Sequence, residues 1–550
     1  MKQMKIFKTK VMLIAGIALL TVFIGCGKHN VGGNHKFRTY DKTRRGYPSS
    51  ASRLYSLKQA KRFHGGGYLR YDRERMPNHN TEEYNRIYDN NYKLVKNAPL
   101  STMSIDVDTA SYSNVRRFIN SSRVPPKDAV RIEEMINYFT YSYPGPKSKH
   151  PFSINTELSD CPWNKQSKLL HIGLQGRKVS FANVPANNLV FLIDVSGSMQ
   201  SYNKLHLLKK AFKVLVKQLR PMDRIAMVVY AGAAGLVLES TPGDNKQKIM
   251  LAINRLTAGG STAGGAGIKL AYKIAKKHFI RGGNNRIILA SDGDFNVGVS
   301  STSELVRLVE KERKHGVFLT VLGFGMGNYK DSRMEQLADK GNGNYAYIDN
   351  ILEAKKVLGT EMVGTLFTIA KDVKVQIEFN PAKVKAYRLI GYVNRKLKNE
   401  DFNNDKKDAG ELGAGHSVTV LYEIVPVGSK LKIDSSIPLK YQTKRTSDYA
   451  EKSDEMATVK FRYKKPKATK SILLVKPIKN IYADREQTSD NFRFSAAVAQ
   501  FGMLLRKSKY KGTATYDSVI ALAKKSTGED KFGYRAEFIR LVKLAKQLSD

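Results

Sequence analysis

The chain is 550 residues long and carries a formal net charge of +44, from 93 lysines and arginines against 49 acidic residues. This length leaves room for about three or four domains and excludes a single small domain. A count of two cysteines excludes a scaffold built on disulfides, and the positive charge is spread along the chain rather than confined to one run.

The N-terminus combines a basic start with a short apolar run that ends at a cysteine. Lysines within residues 2–10 precede an apolar run at 11–24, which is short for a membrane span and typical of a signal-peptide core. The run ends in Phe-Ile-Gly-Cys at 23–26, which resembles a bacterial lipobox. The resemblance implies that Cys26 is lipidated and anchors the chain to a membrane. Gly27 stands where an Asp would retain a lipoprotein in the inner membrane, which favours the outer membrane; an uncleaved anchor or ordinary secretion is the alternative.

The next segment, residues 26–97, is predicted to be a basic, disordered tether. Residues 27–100 contain 16 basic and 6 acidic side chains, a run of three glycines at 65–67 and little apolar periodicity. Tyrosines interleave with these charges, a combination that can bind nucleic acid. For a chain anchored to an envelope, lipid headgroups and wall polymers are nearer partners. We therefore expect nonspecific contacts with anionic polymers and no specific nucleic acid.

The composition becomes globular near residue 98. The spacing of apolar residues predicts two helices and then two strands, with Pro126 at the first position of the second helix. These elements are predicted at 111–121, 126–139, 152–158 and 168–174.

Two features of this region could indicate catalysis. Asp106 and Asp108 resemble the Asp-x-Asp of aspartate-nucleophile phosphatases, but the Thr or Val that this motif places two residues later is missing, and residues 101–104 make a poor buried strand before it. We expect Asp108 to cap the following helix instead. Cys161 is expected to be a buried, unreactive thiol beside Trp163, since no histidine partner is suggested.

The strongest signal in the chain is the sequence Asp194-Val195-Ser196-Gly197-Ser198. It follows an apolar run at 189–193 and precedes apolar residues at helical spacing over 205–219, so it lies in the turn between a buried strand and a helix. In open α/β sheets such turns lie at the carboxyl edge, where ligands bind. Oxygen side chains at alternate positions of a tight turn suit a hard cation.

Two later segments are predicted to bring more oxygens to the same edge. A glycine-rich loop at 259–265 presents Thr262 ahead of a helix at 267–279, and an apolar strand at 287–291 leads directly into Asp292. An Asp-x-Ser-x-Ser sequence with a distant Thr and a distant Asp-Gly resembles the metal-ion-dependent adhesion site of von Willebrand factor type A domains.

That resemblance implies a divalent cation, Mg²⁺ first with Ca²⁺ or Mn²⁺ as alternatives, at five residues: Asp194, Ser196, Ser198, Thr262 and Asp292. In the family the hydroxyls coordinate the ion directly and the aspartates often act through water. One coordination position would stay open. An exposed Asp or Glu of a protein partner could complete it, because the ion dominates the local field. The alternative is that the serines and glycines only cap a helix N-terminus.

The remaining periodicity predicts the fold class. Strands at 224–230, 236–240, 286–291, 317–323 and 344–348 alternate with helices, which indicates an α/β fold with a doubly wound, mostly parallel sheet. Alternating strands at 373–379, 417–425 and 456–463 indicate a β-sandwich. We expect the strands before residue 186 to join this sandwich, so that the type A domain is inserted in it or adjacent to it, and a C-terminal helical segment to pack on it. The predicted domains are 1–25 (signal peptide), 26–97 (tether), 98–185 (N-terminal flank), 186–365 (type A domain), 366–480 (sandwich) and 481–550 (helical region).

The whole layout from about residue 80 resembles one group of bacterial envelope proteins, on the sequences at 99–114, 131–139, 161–164 and 489–494. The resemblance implies architecture more than activity. We expect a non-enzymatic, lipid-anchored protein of the cell envelope that binds a protein partner through its metal. The alternatives are a metal-dependent hydrolase or phosphatase, and a structural envelope protein that uses the metal only for stability.

Overall fold

The computed structural model describes residues 80–549 apart from three short gaps at 261–263, 295–300 and 434–444. The predicted signal peptide, Cys26, most of the tether and Thr262 lie outside the described residues. None of the helices in the described part is both long and apolar enough to cross a membrane.

The N-terminal flank supplies four strands and two helices: β1 (Lys93–Leu94), β2 (Leu100–Ser104), α1 (Ala110–Asn120), α2 (Ile132–Asn137), β3 (Phe152–Asp160) and β4 (Lys168–Gly176). The helix predicted at 126–139 was too long, because the backbone is extended at Val130 and Arg131 and separates a 3₁₀ turn at Lys127–Ala129 from α2. Residues 80–97 were also assigned wrongly to the tether, since β1 pairs with a later strand and Asn90 is buried.

The central segment forms a six-stranded sheet with helices on both faces. Its elements are β5 (Asn187–Asp194), α3 (Leu207–Gln218), β6 (Arg224–Tyr230), β7 (Ala234–Pro242), α4 (Lys246–Arg255), α5 (Gly264–Lys277), β8 (Asn284–Ser291), α6 (Thr302–Arg313), β9 (Val317–Phe324), α7 (Asp331–Lys340), β10 (Tyr345–Ile348), α8 (Ile351–Lys355) and α9 (Met362–Leu366). The strand order is β10-β9-β8-β5-β6-β7, parallel except for the edge strand β7.

The middle strand β5 shows why this segment is doubly wound. Leu189, Phe191 and Ile193 pack in the core on one face of the sheet, whereas Val190 and Leu192 pack in the core on the other face. A strand covered by helices on both faces needs apolar residues at every position, which is the pattern of this run. The predicted α/β fold with a doubly wound, mostly parallel sheet is confirmed.

The sandwich is built from strands on both sides of this central segment. Its later elements are β11 (Thr368–Phe379), β12 (Val384–Ile390), β13 (Gly410–Gly413), β14 (Ser417–Pro426), α10 (Asp448–Lys452), β15 (Glu455–Lys464) and β16 (Ile472–Lys479). One sheet has the order β1-β12-β14-β4-β3, and the other has β13-β11-β15-β16 with β2 also paired to β11. Since β4 pairs with β14 and β2 with β11, the type A segment is inserted in the sandwich, as predicted.

Strand β2 contradicts one expectation from the sequence. Residues 101–104 were expected to make a poor buried strand, yet all of them are buried in β2. Their hydroxyls find partners there: Ser101 Oγ lies 2.9 Å from the hydroxyl of Tyr422, and Thr102 Oγ1 donates to Asn399 Oδ1 at 2.8 Å. Buried hydroxyls are tolerated where they are hydrogen-bonded.

Three helices end the chain: α11 (Asp490–Leu505), α12 (Tyr516–Lys524) and α13 (Tyr534–Gln547). They share a core with the outer face of β4, β12 and β14, which confirms the packing on the sandwich, and they also cover α1 and α2. Cys161 and Trp163 lie together in this core, 3% and 0% exposed, so the thiol is buried as expected.

Candidate metal centre

The candidate site lies at the carboxyl edge of the six-stranded sheet. Asp194 ends β5, and Asp292 follows directly on the neighbouring strand β8. The two strands are parallel, with Ile193 paired to Ala290, so both carboxylates leave the sheet at the same edge. Ser196 and Ser198 lie in the turn after β5, where a short 3₁₀ helix runs over Gly197–Gln200.

Hydrogen bonds link these four residues in sequence. Oδ1 of Asp194 accepts from the backbone N–H of Ser196 at 3.0 Å. The Ser196 and Ser198 hydroxyl oxygens lie 3.0 Å apart, and Ser198 donates to Oδ2 of Asp292 at 2.7 Å. The structure thus brings together four of the predicted ligands, and each of them has a side-chain oxygen to offer.

The glycine-rich loop lies against the same turn. Gly259 donates its backbone N–H to the carbonyl of Val195 at 2.8 Å, and Gly197 donates to the carbonyl of Gly260 at 3.0 Å. Gly260 has φ +85°, a left-handed conformation that favours glycine. The loop therefore reaches the site immediately before Thr262, which is outside the described residues.

Asp194 is fully buried and held by two further hydroxyls. Its Oδ2 accepts from Ser291 at 2.8 Å and from Tyr230 at 3.2 Å. Burial, followed by the nearby charge of Asp292, raises the pKa of Asp194 to about 6. Ser291 and Tyr230 were not predicted, although both occupy the last position of a strand in this sheet, which is a signal that the sequence offers.

Asp292 is also fully buried, but its surroundings favour the charged form. Burial alone would raise its pKa, and this is outweighed by the ammonium of Lys204 and by hydrogen bonds from Ser198 and Asn328, which together lower it. Lys204 Nζ lies 2.9 Å from Asp292 Oδ2, and the Asn328 amide donates to the same oxygen at 3.0 Å. Neither residue was predicted, because nothing in the local pattern marks a lysine or an asparagine as part of this edge.

The donor set fits a hard divalent cation. Two carboxylates and two hydroxyls offer oxygen atoms at one sheet edge, the chemistry that Mg²⁺ and Ca²⁺ take in proteins. Asp194 and Asp292 are 0% exposed whereas Ser198 is exposed, so the cluster opens toward solvent through Ser198. The ammonium of Lys204 is the one feature of the described cluster that competes with a cation.

The first described residues hold the loop that carries Asn328. Thr81 donates its N–H to the carbonyl of Gly327 at 2.7 Å, and Glu83 donates to the carbonyl of Tyr329 at 2.9 Å. The carboxylate of Glu82 accepts from the N–H of Gly327 at 2.7 Å. The chain therefore enters the described part beside the candidate site.

A second acidic cluster, Asp106, Asp108 and Glu134, is buried between the type A segment and its flank. Arg395 binds both aspartates, with its nitrogens 3.2 Å from Asp106 and 2.9 Å from Asp108, and Arg131 pairs with Glu134. These arginines already supply the positive charge that a metal would bring.

Asp108 was expected to cap α1, but it does not. Thr109 is the N-cap residue, and it makes no capping bond through its side chain. Asp108 instead accepts the backbone N–H of Tyr345 at 2.7 Å, which joins the flank to strand β10 of the type A segment. A backbone partner 237 residues away is a long-range contact that local sequence does not encode.

Comparison with known proteins assigns the family. Three family models match in tandem: "von Willebrand factor" over residues 78–171, "von Willebrand factor type A domain" over 188–359, and "Uncharacterized protein YfbK, C-terminal" over 364–548. A relative from Escherichia coli K12, "Uncharacterized protein YfbK", is 46% identical over 482 residues, covering 86% of this chain and 83% of the relative. The chain belongs to the YfbK family.

Two further similarities cover less of the chain than the YfbK match does. The "Uncharacterized protein sll0103" of Synechocystis is 33% identical over 172 residues, which cover 30% of this chain and 39% of that relative. A solved structure titled "von Willebrand factor type A from Catenulispora acidiphila" is 17% identical with a TM-score of 0.40, covering 72% of this chain and 91% of the other. Family membership therefore rests on the YfbK match, and a type A domain lies at its centre.

Proposed function

We propose that this protein is a lipid-anchored envelope protein that binds a protein partner through a divalent cation at the candidate metal centre. The observation that carries the proposal is the hydrogen-bonded cluster of Asp194, Ser196, Ser198 and Asp292, which gathers two carboxylates and two hydroxyls at one sheet edge. A bound Mg²⁺ would supply a positive centre whose open position an Asp or Glu of the partner completes. Thr262 is proposed as a further ligand from the sequence.

The side of the cluster that opens to solvent suits a protein surface. Ser198 is exposed, and each of the two loops that carry Lys204 and Asn328 also has one large exposed apolar side chain. Tyr202 is 78% exposed and precedes Lys204 by two residues, while Met326 is 44% exposed and precedes Asn328 by two. Aromatic and methionine side chains are enriched at protein interfaces.

We propose binding rather than catalysis at this site. The groups that contact the two carboxylates are hydroxyls, an amide, an ammonium and backbone N–H groups, and each of them is already used as a hydrogen-bond donor. A hydrolase would need a general base that can reach a water molecule. Asp194 has a raised pKa, but it is buried and both of its oxygens already accept hydrogen bonds within the protein. Hydrolysis of p-nitrophenyl phosphate by the wild type, lost on Asp194→Ala, would contradict this proposal.

The test of partner binding is a pull-down from envelope extracts with Mg²⁺ or with EDTA. The wild type is expected to retain a partner only with Mg²⁺, and Asp194→Ala is expected to lose it under both conditions. Asp244→Ala is a matched control, because Asp244 is exposed and lies far from the site, near the other end of β5. Its neighbour Gly243 donates to the carbonyl of Asp223, whose side chain binds the first residue of β5. Equal retention with EDTA, or by Asp194→Ala, would overturn the proposal.

Anchoring is proposed from Cys26 and requires its own experiment. Labelled palmitate should be incorporated into the wild type and not into Cys26→Ser, which should then leave the membrane fraction. Recovery of both proteins in the outer-membrane fraction without label would contradict lipid anchoring.

A further inference from the structure

We infer that Lys204 is an electrostatic coupling residue, which makes a cation and an anionic group bind cooperatively at the candidate metal centre. The inference rests on the proposed function and goes beyond it. Lys204 is 4% exposed, and its ammonium donates to Asp292 Oδ2 at 2.9 Å and to Asn328 Oδ1 at 2.7 Å. It is therefore part of the cluster rather than a surface lysine that reaches toward it.

The backbone is shaped to place this side chain. Lys204 has φ −115° and ψ −107°, which breaks the helical geometry inside Tyr202–His206. The aliphatic stem of Lys204 then passes over the Cα of Gly325, which has φ +85° and no Cβ to block the way. This departure from helical geometry, opposite a glycine with positive φ, indicates that the position of the ammonium is built into the fold.

The charges of the cluster give the coupling its sign. Two buried carboxylates and one buried ammonium leave one net negative charge. A divalent cation alone would turn this into one net positive charge, and burying an unpaired charge is costly. A carboxylate added with the cation brings the sum to zero. Lys204 thus weakens the binding of the cation alone and strengthens the binding of an anion to the loaded site.

The hydrogen bonds point the same way. Oδ2 of Asp292 already accepts from Ser198, Lys204 and Asn328. A cation that approaches this oxygen must share it with an ammonium of the same sign. An arriving carboxylate offers that ammonium a further, negatively charged acceptor beside Asp292 and Asn328, so the partner can relieve the repulsion.

The test measures Mn²⁺ binding to the full chain by the electron paramagnetic resonance signal of free Mn²⁺, alone and with excess acetate in place of chloride. In the wild type, acetate should tighten Mn²⁺ binding. In Lys204→Met, Mn²⁺ alone should bind about tenfold more tightly than in the wild type, a change within the range common for coupled sites. The gain in Mn²⁺ affinity from acetate should disappear in this variant. Opposite effects on the two ligands are not expected of a residue that only supports the fold.

Two variants control the charge and the surface. Lys204→Arg keeps the positive charge and should retain the gain from acetate, and Lys210→Met removes an exposed lysine of α3 and should match the wild type. If acetate has no effect on the wild type, or if Lys204→Met binds Mn²⁺ alone no more tightly, the coupling is wrong while the metal site stands. If the wild type binds no Mn²⁺ with or without acetate, both proposals fail. Where Lys204→Met does not fold, Gly325→Ala takes its place, because the added Cβ would collide with the Lys204 side chain, and unchanged Mn²⁺ affinity in that variant would overturn the coupling.

Discussion

The carboxylate of Glu82 accepts a hydrogen bond of 2.7 Å from the backbone N–H of Gly327, the residue immediately before Asn328. Asn328 in turn donates to Asp292, so two hydrogen bonds join the start of the described chain to the candidate metal centre. Arg117 fixes Glu82 from the other side through two bonds of 2.9 Å. The first described residues are thus bound to a loop of the site, and Glu82 links that loop to Arg117.

Replacing Glu82 with Ala is expected to loosen this loop. The variant leaves Arg117 without its buried partner, which costs about 3 kcal/mol of stability when one member of such a pair is removed. Hydrogen exchange of the peptide over residues 325–330 should speed up, because the N–H of Gly327 loses its acceptor. Glu83→Ala is the matched control, since Glu83 is exposed and its contact with Tyr329 runs through the backbone. Equal exchange in both variants would contradict the role given to Glu82.

Replacing Gly325 with Ala is expected to displace Lys204 without touching its charge. A Cβ at this position would collide with Cε of Lys204, so the stem must move away from Asp292. The control is Gly327→Ala, which has a similar positive φ of +92° against +85° but open space where the Cβ would lie. Both variants should lose about 1–3 kcal/mol to backbone strain.

Only Gly325→Ala should also bind Mn²⁺ more tightly than the wild type, as Lys204→Met does. Comparing Mn²⁺ affinity between the two glycine variants therefore separates backbone strain from displacement of the ammonium. Identical affinities would show that the position of Lys204 does not govern the cation.

The sequence predicts the parts of the site that follow from strand ends. Asp194 and Asp292 each come directly after an apolar run, and parallel strands that are neighbours in a sheet end at one edge, so their convergence required only the periodicity. Lys204 could not be found this way, because it lies in a segment of helical spacing where its conformation departs from a helix. From helical spacing alone, Lys204 is expected to lie in a regular helical turn directly before α3, and nothing in that pattern directs it toward Asp292.

The fold, like the site, has features that the local sequence predicts and features that depend on long-range contacts. The insertion in the sandwich was predictable because alternating strands stand on both sides of the type A segment. Asp108 was taken for a helix cap because its partner Arg395 lies 287 residues away, and a local motif cannot show such a pair. The burial of β2 was missed because its serines and threonine make the strand look too polar to be buried. Two of these hydroxyls are hydrogen-bonded to Tyr422 and Asn399, which are distant in the sequence.

Replacing Arg395 with Met is expected to destabilise the contact between the type A segment and its flank. Arg395 binds Asp106 and Asp108 of the flank and also Asp339 of α7. Its loss leaves buried carboxylates unpaired, which costs about 3–5 kcal/mol in the free energy of unfolding. Lys460→Met is the control, since its pair with Glu378 is exposed and contributes about 1 kcal/mol or less. Urea unfolding of both variants measures the difference, and similar losses would contradict a structural role for Arg395.

Replacing His171 with Gln is expected to change how stability depends on pH. His171 lies in β4, 1% exposed, with Nε2 2.9 Å from the Tyr143 hydroxyl and Glu157 as its partner on β3. Burial lowers its pKa to about 4, against about 6.5 for an unfolded histidine. The folded protein therefore keeps His171 neutral, and the stability this provides is complete above pH 6.5 and lost as the pH falls toward 4.

At about pH 5 the loss amounts to about 2 kcal/mol relative to neutral pH, and Gln, which does not titrate, should escape it. Gln can still offer a side-chain amide to Tyr143, so the variant tests titration rather than a missing contact. Urea unfolding at about pH 7.5 and pH 5 should show the wild type losing about 2 kcal/mol more than His171→Gln. Other buried acids shift the curves of both proteins equally, so only their difference reports His171. Parallel curves would mean that the histidine is protonated in the folded chain, with Glu157 across the strands as the group able to stabilise it.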